Sequence, residues 1–178
     1  MEKSKETLLK KAYELGFNYE REYGGCCQCV LAAIQDTLDM RNDALFKAGT
    51  GFAGGMGVTG VGPCGALSGG VMAISSQIGR ERQNIKDPER IRWTAYDLTK
   101  KLYEKFVEEY GGGTCKEIQK KLFGRSFNLR DPNEYKEYEK AGGHATKCPS
   151  VVGNAAKWTV EILWSNSNSH LAEISSTI

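Results

Sequence analysis

Imidazole is nearly missing from this chain: among its 178 residues only His144 and His170 occur. The HExxH, CxxCH, GxSxG and P-loop patterns are missing too. Their absence argues against a helix-borne zinc peptidase, an attached haem, an α/β-hydrolase nucleophile and a phosphate-cradling loop. Both histidines read as solvated residues, and the one pairing they leave open is His144 with Cys148, four residues on, as base and thiol. No uninterrupted apolar run approaches the ~18 residues of a membrane span. The opening segment, MEKSKETLLKKAYELG, carries charge where a secretory leader would need an apolar stretch. A soluble cytoplasmic protein with reduced thiols is therefore expected. An excess of one charge is lacking as well: 24 Lys and Arg face 22 Asp and Glu, a net +2, interleaved along segments such as Asp97 to Glu109. That pattern speaks against nucleic-acid binding. No stretch alternates apolar and polar residues over a strand length, so the expected fold class is all-α, a single-domain helical bundle.

What is present can be laid out in order. Residues 4 to 23 place Leu8, Ala12, Leu15 and Tyr19 at helical spacing, with Lys10, Lys11, Glu14 and Glu20 elsewhere on the wheel, and Gly24 and Gly25 end the helix. From about Cys26 to Asp39 the rows Cys26/Val30/Ala33 and Cys27/Leu31/Ile34/Leu38 predict a core helix. A short helix from Asn42 to Ala48 leads into a glycine-rich tract from Gly49 to Gly70. There Gly49-Thr50-Gly51-Phe52-Ala53-Gly54 spells GxGxxG, yet a helical segment precedes it and Gly69 stands where an acidic residue is needed. A tight loop rather than a dinucleotide site is expected. Pro63 to Gly79 predicts a helix with Pro at its first position. Its small face of Ala66, Gly69, Gly70 and Ala73 would admit another helix closely, including that of a second copy in a homodimer. A long helix is expected from Asp87-Pro88 to Tyr110, stopped by Gly111 to Gly113. The capping box of Thr114 and Glu117 then makes Cys115 the first residue of a helix reaching Phe123. The polar stretch from Arg125 to Lys147 reads as a surface excursion with a short helix from Asp131-Pro132 to Glu139. Cys148-Pro149 opens the last helix, with Val152, Ala155, Ala156, Thr159, Ile162 and Leu163 facing inward. Residues 1–164 thus form the domain, and 165–178, beginning Ser165-Asn166-Ser167-Asn168-Ser169, a polar mobile tail.

The six cysteines are free to do chemistry, because a chain of this length buries a core without disulfide staples. Four of them, Cys26, Cys64, Cys115 and Cys148, fall at helix starts in separate segments. A helix N-terminus carries about half a positive charge and free N–H groups, so it favours thiolate over thiol. Four such ends together suit negative sulfur, and the amides of the loop around Cys64, with Gly62 and Gly65, are expected to face a negatively charged cofactor. Two kinds of site use four protein cysteines, tetrahedral zinc and iron–sulfur clusters. Zinc sites usually show paired CxxC knuckles, whereas these four are single and spread over positions 26 to 148, so tertiary folding must assemble the site. Cys26 and Cys29 do make one CxxC. Residues three apart share a helix face, so this pair is a candidate for thiol–disulfide exchange, with Cys64, Cys115 or Cys148 as the resolving thiol. Cys27 and Cys29 also lie on apolar rows, where cysteine serves as a small hydrophobe.

At these residues the chain resembles the redox-active proteins named for the pattern C, GCAxxG, C, C, from roughly Tyr13 to Leu163. Cys26-Cys27-Gln28-Cys29-Val30-Leu31 is similar to that family's CxQxVL stretch, and Cys64-Gly65-Ala66-Leu67-Ser68-Gly69 to its CGAxxG core. Cys115-Lys116-Glu117-Ile118 resembles the third cysteine opening a helix, Cys148 the fourth, and the approach from Gly51 to Gly57 is family-like. Cys27 and Cys29 depart from the pattern, which has small apolar residues there. The resemblance implies a helical, cysteine-based redox module. A similar domain of split-Soret cytochromes is associated with an iron–sulfur centre beside haem, and only the cluster carries over to a chain without CxxCH. The expectation is an electron-transfer accessory protein or oxidoreductase with a redox partner protein. Its cluster, [2Fe–2S] as the expected type, would be held by Cys26, Cys64, Cys115 and Cys148. The alternatives are the metal-free Cys26/Cys29 oxidoreductase and a structural zinc protein.

Overall fold

A computed structural model describes residues 4–175, with side chains through Ser167, and its helix ends follow local chemistry. Helix α1 (Lys5–Tyr23) begins where Ser4 Oγ accepts the Thr7 amide at 3.3 Å and stops at Gly24, whose φ is 67°. After Gly25 comes α2 (Cys26–Leu38), then α3 (Asp43–Ala48), capped by the Asn42 side chain accepting the Leu45 amide at 2.9 Å. The glycine-rich loop leads to α4 (Gly65–Ile78), followed by α5 (Ile91–Tyr110), α6 (Cys115–Phe123) and α7 (Pro132–Lys140). A π-type turn, Gly143–Lys147, feeds directly into α8 (Cys148–Ser175). Among the described residues there is no strand, only an isolated antiparallel bridge between Pro63 and Thr114. None of the described helices is long and apolar enough to cross a membrane.

α2 is the central helix, packed by α1, α4 and α8, while α1 lies along α8 and α5 covers α4. Leu31, Ile34, Ile74, Leu102, Phe106 and Val160 are fully buried in the common core. The small face of α4 makes this packing close. A Cβ on Gly69 would stand 2.6 Å from Cys27 O, and one on Gly70 would stand 2.6 Å from both Leu102 Cδ2 and Thr159 Oγ1. The face expected to admit another helix is therefore occupied by α2, α5 and α8 of the same chain.

Four expectations shift. Pro63 precedes α4 rather than opening it: the bridge ties the Cys64 amide to Gly113 O at 2.9 Å, and Cys64 becomes the N-cap. α5 starts at Ile91, because Asp87 stays outside the helix and accepts the amides of Ile91 (2.7 Å) and Arg92 (3.2 Å) through its buried carboxylate. The Asp-Pro pair thus marks a cap one turn early. The segment from Arg125 to Lys147 is not confined to the surface, since Phe127, Tyr138 and Gly143 are buried. Finally, α8 continues through the Ser/Asn stretch to Ser175, since neither Gly nor Pro follows Trp164 to stop it. The side chains of the expected tail beyond Ser167, His170 included, lie outside the described residues.

Candidate functional site

The N-terminal ends of α2, α4, α6 and α8 converge, and Cys26, Cys64, Cys115 and Cys148 all line one cavity of about 240 Å³ with largely apolar walls. Each sulfur arrives by a local device. Cys26 follows the Gly24-Gly25 break as the first residue of α2. The Pro63–Thr114 bridge ties together the segments that carry Cys64 and Cys115, the Cys64 amide donating to Gly113 O at 2.9 Å and the Cys115 amide to Gly62 O at 3.0 Å. The capping box at Thr114 then turns the chain into α6, and the π-type turn delivers Cys148 to the start of α8.

Each of the four sulfurs also has a hydrogen-bond donor of its own. The Gly54 amide faces Cys26, and the Ala66 and Leu67 amides face Cys64. Gln119 Nε2 donates to Cys115 Sγ at 3.3 Å, and Tyr138 Oη donates to Cys148 Sγ at 3.0 Å. Donors of this kind favour thiolate over thiol. Burial nevertheless dominates: it pushes the Cys64 thiol up to about 12 and holds Cys26, Cys115 and Cys148 above their ordinary value as well. The mutual repulsion of the sulfurs adds to the rise at Cys26, Cys64 and Cys148. The pull of the helix ends toward thiolate is thus opposed by burial. A helix end is worth at most ~2 kcal/mol, or roughly 1.5 pKa units at 1.36 kcal/mol each, whereas full burial shifts a group by up to ~3–5 units.

Cys27 and Cys29 do not line this cavity. Cys27 is fully buried, its Sγ 3.8 Å from Met72 Sδ, in the role of a small hydrophobe. The Cys29 thiol donates to Gly24 O at 3.0 Å and lines a separate surface groove with Tyr19, Tyr23 and Asp36. The CxxC pair therefore opens into two different places. Gly62 and Gly65 position sulfur rather than line the cavity. A Cβ on Gly65 would collide with Cys26 Sγ and stand 2.9 Å from Phe52 O. Gly65→Ala is accordingly expected to cost ~1–3 kcal/mol through overpacking, read as a lower urea midpoint.

Sequence reasoning missed four contributors. Glu20, placed on the polar side of α1, in fact continues the buried row Leu8-Ala12-Gly16. It is 3% exposed, and burial raises its carboxyl to about 7, although the charge of His144 and the Cys29 thiol pull it down. His144, expected in solvent, lines the cavity with Nδ1 2.5 Å from Glu139 Oε1. Cys148 receives its hydrogen bond from Tyr138, not from His144. Gln119 is buried, donates to Cys115 and accepts the Phe127 amide at 2.7 Å. A glutamine one helical turn after Cys115 was a usable signal for it, and the i, i+4 row was one for Glu20. Nothing local singled out Tyr138, and the spacing of His144 from Cys148 pointed to a base–thiol pair rather than to Glu139 and Glu20.

Among the described residues, no three His, Cys, Asp or Glu side chains are grouped so as to hold a metal ion. The family model described as "Putative redox-active protein (C_GCAxxG_C_C)" matches residues 25–162, which include all six cysteines. No curated protein and no solved structure matches the chain.

Proposed function

The chain belongs to the C_GCAxxG_C_C redox-active protein family, and from that premise we propose that it carries electrons on an iron–sulfur cluster held by Cys26, Cys64, Cys115 and Cys148. The observation that carries this reading is the convergence of four cysteines, each with its own donor, on one largely apolar cavity. A donor set of four thiols fits a cluster chemically. Bound there, the cluster supplies a one-electron centre. The thiolates hold it, the donors from Gly54, Ala66, Leu67, Gln119 and Tyr138 offset its negative charge, and the apolar walls keep water from the sulfurs.

Burial counts against the thiol–disulfide rival. A thiol–disulfide oxidoreductase needs an attacking thiol with a depressed pKa, and burial raises the thiols of both Cys26 and Cys29. The proposed setting is the cytoplasm, with a redox partner protein supplying or accepting the electron. Anaerobic purification followed by an absorption spectrum and metal analysis tests the proposal. Visible absorption that bleaches with dithionite, with iron and acid-labile sulfide in equal amounts, is the expected result. A colourless protein holding one zinc, or one holding no metal, overturns it.

A further inference from the structure

We propose that Glu20, His144 and Glu139 form a proton route between the cysteine cavity and solvent. Glu20 and His144 both line the cavity. Glu20 Oε2 is buried and has no hydrogen-bond partner, while Oε1 is 3.9 Å from His144 Nε2. The other ring nitrogen, Nδ1, is 2.5 Å from Glu139 Oε1. Side-chain exposure rises along the series, from 3% at Glu20 to 29% at His144 and 35% at Glu139, so the three groups step from interior to surface. Tyr135 and Tyr138 flank the imidazole, their ring centroids 6.2 and 5.2 Å away.

The chemistry suits transfer. An imidazole can take a proton on one nitrogen and release one from the other, and here each nitrogen faces a carboxylate. A buried carboxylate oxygen without a partner is costly, and the residues preceding Glu20 on its row are Leu8, Ala12 and Gly16. An apolar side chain would fill that place without the penalty, so the carboxylate calls for a role. The titratable groups facing Glu20 are Cys26 and Cys29 from α2, Cys64 from α4, Tyr138 from α7, Cys148 from α8 and His144 from the π-type turn. Of these only His144 can become positive.

Coupling of this route to electron transfer rests on the cluster reading. One electron entering from a reduced electron-carrier protein, and one proton entering from solvent by way of Glu139 and His144 to Glu20, leave the net charge of the cavity unchanged. A cavity of low dielectric favours that balance.

The route is tested on the full chain as purified, whatever its metal content, so its failure is distinct from failure of the cluster reading. On mixing into D2O at pH 6, the infrared carbonyl band of protonated Glu20, assigned by its loss in Glu20→Gln, shifts as the proton exchanges. His144→Phe is expected to slow that exchange by more than ~10-fold, since a ring with no proton-carrying nitrogen cannot relay. His144→Gln, which keeps a polar side chain and guards against misfolding of the first variant, is expected to slow it similarly. Exchange as fast in either folded variant as in the unaltered protein overturns the route. In the cluster-loaded protein above pH 7, where Glu20, raised by burial to about 7, is ionised before the electron arrives, one proton per electron corresponds to a midpoint potential falling by up to ~59 mV per pH unit, lost in Glu20→Gln. A potential independent of pH, or an unchanged slope in Glu20→Gln, overturns the coupling.

Discussion

Replacing any one of Cys26, Cys64, Cys115 or Cys148 with Ser is expected to remove the visible absorption of the proposed cluster and to lower iron retention by more than ~10-fold, since even partners that only touch a ligand are typically worth 10–100-fold. The four sulfurs line one cavity, so the loss of one leaves a gap that neither Cys27 nor Cys29 fills. A hydroxyl is also a poor substitute. It is a harder ligand than the soft thiolate that iron–sulfur centres select, and in this cavity it would be buried among apolar walls. Cys27→Ala and Cys29→Ala serve as controls and are expected to retain iron, because those two thiols face Met72 and Gly24 O instead. Iron content per folded chain, with helicity checked by circular dichroism, reads the series. Full retention of iron in all four Ser variants would defeat the proposed ligand set.

Tyr138→Ala is expected to destabilise the protein by ~3–5 kcal/mol, the usual cost of truncating a large buried aromatic side chain. Tyr138 is 1% exposed, with its ring against Phe123, Phe127 and His144. A Cβ added at Gly143 would run into that ring, so the π-type turn that delivers Cys148 is shaped around it. Tyr138→Phe separates packing from hydrogen bonding. It keeps the ring and removes only the donor to Cys148 Sγ, at an expected cost of ~0.5–1.5 kcal/mol. In the loaded protein the same change should lower the midpoint potential, because a donor to sulfur favours the more negative, reduced state. Urea denaturation of both variants checks the ordering. If the Phe variant were as unstable as the Ala variant, the hydroxyl rather than the ring would be the structural element.

The helices were legible because their signals are local. Gly24, Gly111 and Gly124 stop α1, α5 and α6, and Thr114 with Glu117 builds the capping box. Of the apolar rows of α2, Cys27, Val30, Leu31, Ala33 and Ile34 are buried, while Cys26 and Leu38 at the two ends are only partly so. Errors arose where a distant segment overrode a local preference. Pro63 reads as a first helical residue, but the bridge to Thr114 holds it in extended pairing and passes the cap to Cys64. The stretch from Arg125 to Lys147 is polar in composition, yet it folds back over the cavity on the strength of Phe127 and Tyr138. Glu20 looks like surface charge until the inward row of α1 is set against α8 and the π-type turn.

The sequence by itself determined an all-α chain with four cysteines at or beside the starts of four helices, because capping, glycine stops and 3.6-residue periodicity depend on neighbours a turn or two away. Only the tertiary structure decided that those four ends face one cavity, that Cys27 and Cys29 stay outside it, and that Glu20, Tyr138 and His144 complete its wall. It also set the electrostatic surroundings of the sulfurs. Helix ends act locally and modestly, whereas the desolvation that pushes the thiols up comes from every segment packed around them.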